Sequence, residues 1–180
     1  DALRDEQLGQ RDIAIYVREP HVVLARAPQE LFLDPSHTFR LALEDFDDAS
    51  QQPAAGFRVR PLSTRDDAEQ VSALYRKRRM VPVDPWFFID AASDDGALVY
   101  LLAEDTATGE IVGTVTGVDH VVAFGDAERG ASLWALAVDP QTPHAGVGHA
   151  LVTALVRYFV QQAADAGIDL VVLHAGTGLL

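Results

Sequence analysis

Leu133-Trp134-Ala135-Leu136-Ala137-Val138 is followed by Asp139-Pro140-Gln141-Thr142-Pro143-His144-Ala145-Gly146-Val147-Gly148, and then by His149-Ala150-Leu151-Val152-Thr153-Ala154-Leu155-Val156. The first run is apolar without a break and stops at Asp-Pro, which reads as a strand buried on both faces. After the glycines, apolar residues recur at Val147, Leu151, Ala154, Leu155, Tyr158 and Phe159, the spacing of a helix. The unit is therefore strand, glycine-bearing turn, helix. Such a turn gathers backbone N–H groups that have no intrahelical acceptor, and the helix dipole adds partial positive charge to them. It is a place for an anion, and phosphate suits it best.

Gly146-Val147-Gly148 lacks the third glycine of a dinucleotide fingerprint, since position 151 is Leu. It also lacks the Lys-Ser/Thr ending of an ATP-type phosphate loop, where this chain has His149-Ala150. A tight turn with no ligand is the plain alternative.

The rest of the composition narrows the class. The chain has 180 residues, a formal net charge of −13, 48% hydrophobic residues and no cysteine. It is long enough for one domain with a core, plus an appendage. A balance this acidic argues against nucleic acid as a partner, because phosphate backbones need clustered Lys and Arg. Without cysteine there is no disulfide, thiol nucleophile or Cys-based metal site. No apolar run is long enough to span a membrane and no signal-peptide pattern opens the chain, so the cytoplasm is the expected location. The chain starts with Asp and not Met, which reads as a piece of something longer.

Residues 1–56 read as an N-terminal β appendage and linker, with strands expected at Asp12–Val17, Val22–Ala25 and Thr38–Leu43, the first two as a hairpin. Residues 57–180 read as the main domain. Phe57–Pro61 alternates as a strand. Ser63 or Thr64 offers an N-cap to a helix with Asp66 and Asp67 in its first turn and Ala68, Val71, Leu74 and Tyr75 as its buried stripe. Arg76-Lys77-Arg78-Arg79 ends it, either as solvated cations matched to the dipole or as a partner for an acidic group. Val81–Ile89 is an aromatic, proline-bearing connector. Leu98–Ala103 and Ile111–Val118 form a hairpin around Thr106–Gly109. Gly113 and Gly117 share one face, leaving room for something to approach the backbone. Asp119–Ser132 reads as a loop. The long helix is expected to end at Gly167, before a last buried strand at Ile168–Leu173.

The Val138-Asp139-Pro140 ending and the Gly146-Val147-Gly148 turn resemble the acetyl-CoA loop of the GNAT acetyltransferase superfamily, and the order of elements from residue 57 resembles the order of that superfamily's motifs. Pro143 stands where those loops carry Arg or Gln. The resemblance implies a mixed α/β (α+β) fold with a mostly antiparallel central sheet flanked by helices. It implies acetyl-CoA as co-substrate, held by the amides of His144, Ala145, Gly146, Val147, Gly148 and His149, with the pantetheine arm along Leu136, Ala137 and Val138. A backbone N–H of Val138 or Leu136 would meet the developing oxyanion. The acceptor would be a small-molecule amine. Asp119, His120 and Glu128, just before the central strand, are the candidate bases. Trp86 and Phe87 would wall the acceptor pocket. No metal is expected, because helix N-terminal amides repel cations. A leaving-group Tyr and an Asn, placed by resemblance after the last strand, do not occur before Leu180, so the domain reads as truncated before its C-terminal helix and strands.

A narrower resemblance is carried by Arg11–Val23, Ala27–Thr38 and Ser132–His144, which look like the N-terminal half of bacterial N-acetylglutaminylglutamine synthetases. In those proteins a GNAT-like domain precedes an ATP-grasp ligase and the product is an osmoprotectant dipeptide. That implies glutamine or glutaminylglutamine as acceptor and a C-terminal ligase partner. The competing readings are a non-catalytic acyl-CoA-binding or docking module attached to a ligase, and an interaction domain without a small ligand.

Overall fold

A computed structural model of the chain describes residues 19–31, 33, 36–47, 56–93 and 96–176. The chain divides into two units, Phe39–Leu173 and Asp1–Thr38 with His174–Leu180. In the smaller, the described element is a short helix, α1 (Pro20–Arg26). The strand expected at Val22–Ala25 is therefore helical. Pro20 opens the helix, where its fixed φ and missing N–H cost nothing, and this outweighs the β-branched pair Val22-Val23. The strand expected at Asp12–Val17 lies outside the described residues.

The sheet has six strands in the order β1-β6-β5-β4-β3-β2. They are β1 (Ser36–Ala42), β2 (Phe57–Pro61), β3 (Leu98–Asp105), β4 (Ile111–Asp119), β5 (Gly130–Val138) and β6 (Leu170–Gly176). β2 through β5 pair antiparallel in turn, and β5 pairs parallel with β6. The strand expected at Thr38–Leu43 is β1, and it joins this sheet. Among the described residues no helix is long and apolar enough to cross a membrane.

One face is covered by α5 (Val147–Ala166), which buries Val147, Leu151, Leu155 and Phe159, each worth about 1.5–3 kcal/mol. What approaches Gly113 and Gly117 is this helix. A Cβ at Gly113 would lie 2.7 Å from Val147 Cγ1, and one at Gly117 would lie 2.6 Å from Leu155 Cδ1. The room read from the sequence is thus filled by core packing. α5 ends at Gly167 in a left-handed conformation, as expected.

On the other face lie α2 (Arg65–Lys77) and α3 (Pro85–Ser93). The proline-bearing connector is helical from Pro85 on, with Phe88 as the buried ring, 5.1 Å from the Tyr100 ring. α2 opens with a reciprocal cap between Thr64 and Asp67. Asp67 is buried, accepts the N–H groups of Ser63 and Thr64 at 3.0 Å each, and takes Arg60 through two bonds of 2.6 and 2.9 Å. Burial alone would raise its pKa. The guanidinium and the two amides prevail and hold the carboxyl well below the usual range.

Candidate active site

The turn between β5 and α5 is built from Asp139. Its N–H donates to Val112 O at 2.8 Å, its Oδ1 accepts from Gln141 N–H at 2.9 Å, and its Oδ2 accepts from Lys77 Nζ at 2.7 Å. The Lys77 ammonium is the main reason its pKa is lowered. Further along, the His144 ring reaches Asp105 Oδ2 at 2.7 Å and lies 5.8 Å from the Phe57 ring, which fastens the turn to the β3–β4 hairpin. His144 N–H is directed to Thr142 Oγ1 at 3.4 Å, a long contact.

Gly146 then takes φ +79°, a backbone that side-chain-bearing residues rarely adopt, and α5 begins. The N–H groups of Ala145, Gly146, Val147, Gly148 and His149 have no hydrogen-bond acceptor among the described residues, and no side chain caps the helix. The contrast with α2 is direct. There Thr64 and Asp67 satisfy the first turn, whereas the first turn of α5 is left bare, with no atom within 4 Å of where a Cβ on Gly146 would stand. Such a start is suited to an anion.

β5 prepares the space beside this turn. Its pairing with β6 runs from Gly130↔Leu170 to Leu133↔Leu173, whereas β5 itself continues to Val138. On the β4 side the register steps from Thr114↔Ala137 to Thr116↔Trp134, so β5 holds one extra residue, and Ala135 has φ +49°. This is a β-bulge, a device that bends a strand and re-aims its groups. Because Asp139 N–H points at β4, strand alternation turns Val138 N–H away from β4.

The three candidate bases separate. Asp119 is buried, and its Oδ1 accepts Val122 N–H at 3.0 Å as the cap of a short helix, α4 (His120–Phe124), within the segment read as a loop. Glu128 is exposed, 3.9 Å from Arg40. His120 lines a pocket of about 380 Å³, together with Arg40, Phe124, Asp126 and Glu128. Its Nε2 lies 2.7 Å from Ser132 Oγ, which also accepts Trp134 Nε1–H at 2.6 Å. Ser132, Trp134 and Asp126 are not among the candidate site residues read from the sequence. Trp86 and Phe87 are both 53% exposed on α3, and Arg65 stacks 4.9 Å over the Trp86 ring. Neither lines this pocket.

A family model described as "Acetyltransferase (GNAT) family" matches residues 62–177, more than half of the chain, from just before α2 through the turn between β5 and α5 to the last strand. The chain belongs to the acetyltransferase (GNAT) family. Among solved structures, a tandem GNAT protein from the clavulanic acid biosynthesis pathway aligns with a TM-score of 0.63 at 15% identity, over 91% of this chain and 52% of that one. A Trypanosoma brucei acetyltransferase aligns with a TM-score of 0.52 at 21% identity, over 69% and 86%. A glucosamine N-acetyltransferase region of a fungal multi-domain β-N-acetylglucosaminidase gives 0.49 at 28% identity, over 67% and 14%. The GNAT chain thus spans about half of the tandem protein and a small part of the fungal one. No curated protein matches. The mixed sheet flanked by helices is the GNAT fold, and the family uses acetyl-CoA in acyl transfer.

Proposed function

We propose that this chain is the acetyl-CoA-binding, acetyl-transferring domain of an N-acetyltransferase whose acceptor is the amine of a small amino acid or dipeptide. The observation that carries the reading is the uncapped start of α5, where the amides of Ala145 to His149 have no acceptor among the described residues and suit a diphosphate. His144 enters mainly through its ring, which holds the turn to Asp105.

Acetyl-CoA brings the activated acetyl group. Beyond Leu133, β5 gives its amide-rich arm a strand to pair with, along Leu136, Ala137 and Val138. Val138 N–H, aimed away from β4, is the donor for the oxyanion that develops on the thioester carbonyl, a role worth about 3–4 kcal/mol for one donor. The likeness of Arg11–Val23, Ala27–Thr38 and Ser132–His144 to N-acetylglutaminylglutamine synthetases supports glutamine or glutaminylglutamine as the acceptor and an ATP-grasp ligase as the partner domain.

Calorimetry with acetyl-CoA tests the binding half, and thiol release with glutamine and glutaminylglutamine tests the transfer half. Saturable heat that is lost when Gly148 carries a carboxylate supports the reading. No heat with the wild-type chain overturns it. Heat without thiol release moves the chain to the reading of an acyl-CoA-binding module.

A further inference from the structure

We propose that the His144 ring is a latch: bonded to Asp105, it holds the β5–α5 turn in the shape that takes acetyl-CoA, and Gly56, at the entry to β2, keeps the space in which the latch closes. The inference rests on the acetyl-CoA reading of that turn and adds to it the residues that set the affinity from outside the site.

The need for a tie follows from the turn's own bonds. Its start is fixed, because Asp139 engages Val112, Gln141 and Lys77, and its carbonyl accepts Thr142 N–H at 3.1 Å. Its end is fixed by α5, where Gly146 O accepts Ala150 N–H at 2.9 Å. Between them Pro143 has no N–H to give, and it stands where the loops this turn resembles carry Arg or Gln. Ala145 offers only a methyl. The contact of His144 N–H with Thr142 Oγ1 is long, at 3.4 Å. Among the described residues, the His144 ring is the side chain that ties Pro143–Ala145 to the rest of the fold.

The far end of the tie is rigid. Asp105 Oδ1 accepts Ala107 N–H at 2.7 Å and Thr108 N–H at 3.0 Å. Asp105 N–H donates to Glu110 O, and Asp105 O accepts Gly109 N–H, both at 2.9 Å. That leaves Oδ2 for His144 Nε2, 2.7 Å away. With its pKa held to about 2, the carboxyl is anionic and can only accept. Nε2 therefore carries the hydrogen, and the bond is charge-assisted, roughly twice as strong as a neutral one. The two side chains are 17% and 12% exposed, so water competes little for either.

Gly56 closes the third side. Its carbonyl accepts Thr106 N–H at 3.0 Å and Thr106 Oγ–H at 3.1 Å, which seats it against the same hairpin loop. A Cβ on Gly56 would stand 2.5 Å from Cε1 and 2.7 Å from Nδ1 of the His144 ring. Atoms do not approach so closely, so any side chain at 56 pushes the ring off Asp105. Glycine is required there twice, by φ +80° and by the ring. The consequence falls on binding. The α5 amides converge on a diphosphate only while the latch is closed, and a site competent for a fraction of the time loses affinity by that fraction. His144, Asp105 and Gly56 are positioning residues, and the segment entering β2 is coupled through them to the acetyl-CoA turn.

Calorimetry with acetyl-CoA on the whole chain tests this as a double-mutant cycle. His144→Ala should raise Kd about tenfold, the effect of a turn competent about one-tenth of the time. Gly56→Ala should raise Kd to a similar extent in the wild-type chain and leave it unchanged in the His144→Ala chain, where no ring is left to displace. Gly125→Ala controls for backbone strain, since Gly125 has φ +66° and nothing within 4 Å of its Cβ position, and its Kd should stay at the wild-type value. His144→Gln, which keeps an N–H donor for Asp105, should bind more tightly than His144→Ala. In thiol release, Gly56→Ala should raise KM for acetyl-CoA and leave kcat at saturation in place. An unchanged Kd in His144→Ala, additive losses in the double variant, or equal losses in Gly56→Ala and Gly125→Ala overturns the latch. Melting curves establish that each variant is folded at the temperature of titration. Should His144→Ala fail to fold, Gly56→Ala carries the test, because an unchanged Kd there overturns the latch as well. Absence of heat with the wild-type chain overturns the acetyl-CoA reading itself.

Discussion

Gly148 combines two properties that a single substitution can pull apart. It has no left-handed φ, and a Cβ there would stand 3.6 Å from Val138 Cγ2, an ordinary contact. A carboxylate in the first turn of a helix is favoured by the dipole by about 0.3–1 kcal/mol, and replacing glycine inside a helix adds a similar gain. The same charge would face the diphosphate. Gly148→Asp is therefore expected to keep or raise the melting temperature and to weaken acetyl-CoA binding at least tenfold by calorimetry. Retained affinity would show that the α5 amides are not the binding site. Gly146 is a poorer choice, because at φ +79° any side chain brings strain of its own. Asp105 sets a second test at this scale. The His144 ring and the N–H groups of Thr108 and Ala107 hold its pKa to about 2. A lowered carboxyl stabilises the fold above its unfolded pKa of about 4 and loses that contribution as pH falls toward the folded value. Acid titrations of Asp105→Asn should show a shallower loss of stability between about pH 4 and 2 than wild type. Parallel curves would mean that the His144 contact is not formed in solution.

At the scale of elements, the joints rather than the surfaces decide stability. Asp67 satisfies the start of α2, pairs Arg60 and is buried, so its removal leaves the amides of Ser63 and Thr64 without their acceptor and takes from Arg60 one of its two carboxylate partners, Glu104 remaining. Asp67→Ala is expected to cost about 3 kcal/mol in denaturant unfolding, in line with breaking a buried pair; a loss under about 1 kcal/mol would place the pair among weak surface bridges. Gly117 is the joint of α5 with the sheet. A Cβ there meets Leu155, Val99 and Phe159 at 2.6 to 2.9 Å, so Gly117→Ala should destabilise by about 1–3 kcal/mol through overpacking. A neutral result would mean that α5 rides farther from the sheet. Much of this level was readable from the chain. Alternation marked β2, the apolar runs either side of Thr106–Gly109 marked β3 and β4, the Ser63-Thr64 pair and Gly167 framed α2 and α5, and the glycine pair marked the turn between β5 and α5. Short segments were not, because their order is set by neighbours. Val22-Val23 favours a strand until Pro20 is taken as a helix start, and the aromatic run from Pro85 looks like a connector until Phe88 packs on Tyr100. The Ser132–His120 bond spans 12 positions and depends on the β4–β5 register, so no spacing rule announces it.

For the molecule as a whole, the charge and the ligand act on the same equilibrium. A formal charge of −13 on 180 residues favours expansion of the chain, and salt screens that repulsion. The unliganded melting temperature should therefore climb with ionic strength whether or not acetyl-CoA binds, and a ligand effect has to be read at fixed salt. A ligand that binds only the folded state adds RT ln(1 + [L]/Kd), about 2.7 kcal/mol at 100 times Kd. In a protein of this size 1 kcal/mol moves the midpoint by about 2–4 °C. Acetyl-CoA at that concentration should raise the melting temperature by about 5–10 °C, and the shift should shrink as salt rises because the contact is made by backbone dipoles with phosphate. ATP, which offers phosphates but no pantetheine arm to pair with β5, should give a much smaller shift. Equal shifts from the two ligands would reduce the site to a generic phosphate turn, and no shift from either would leave the bare amides of α5 without a ligand.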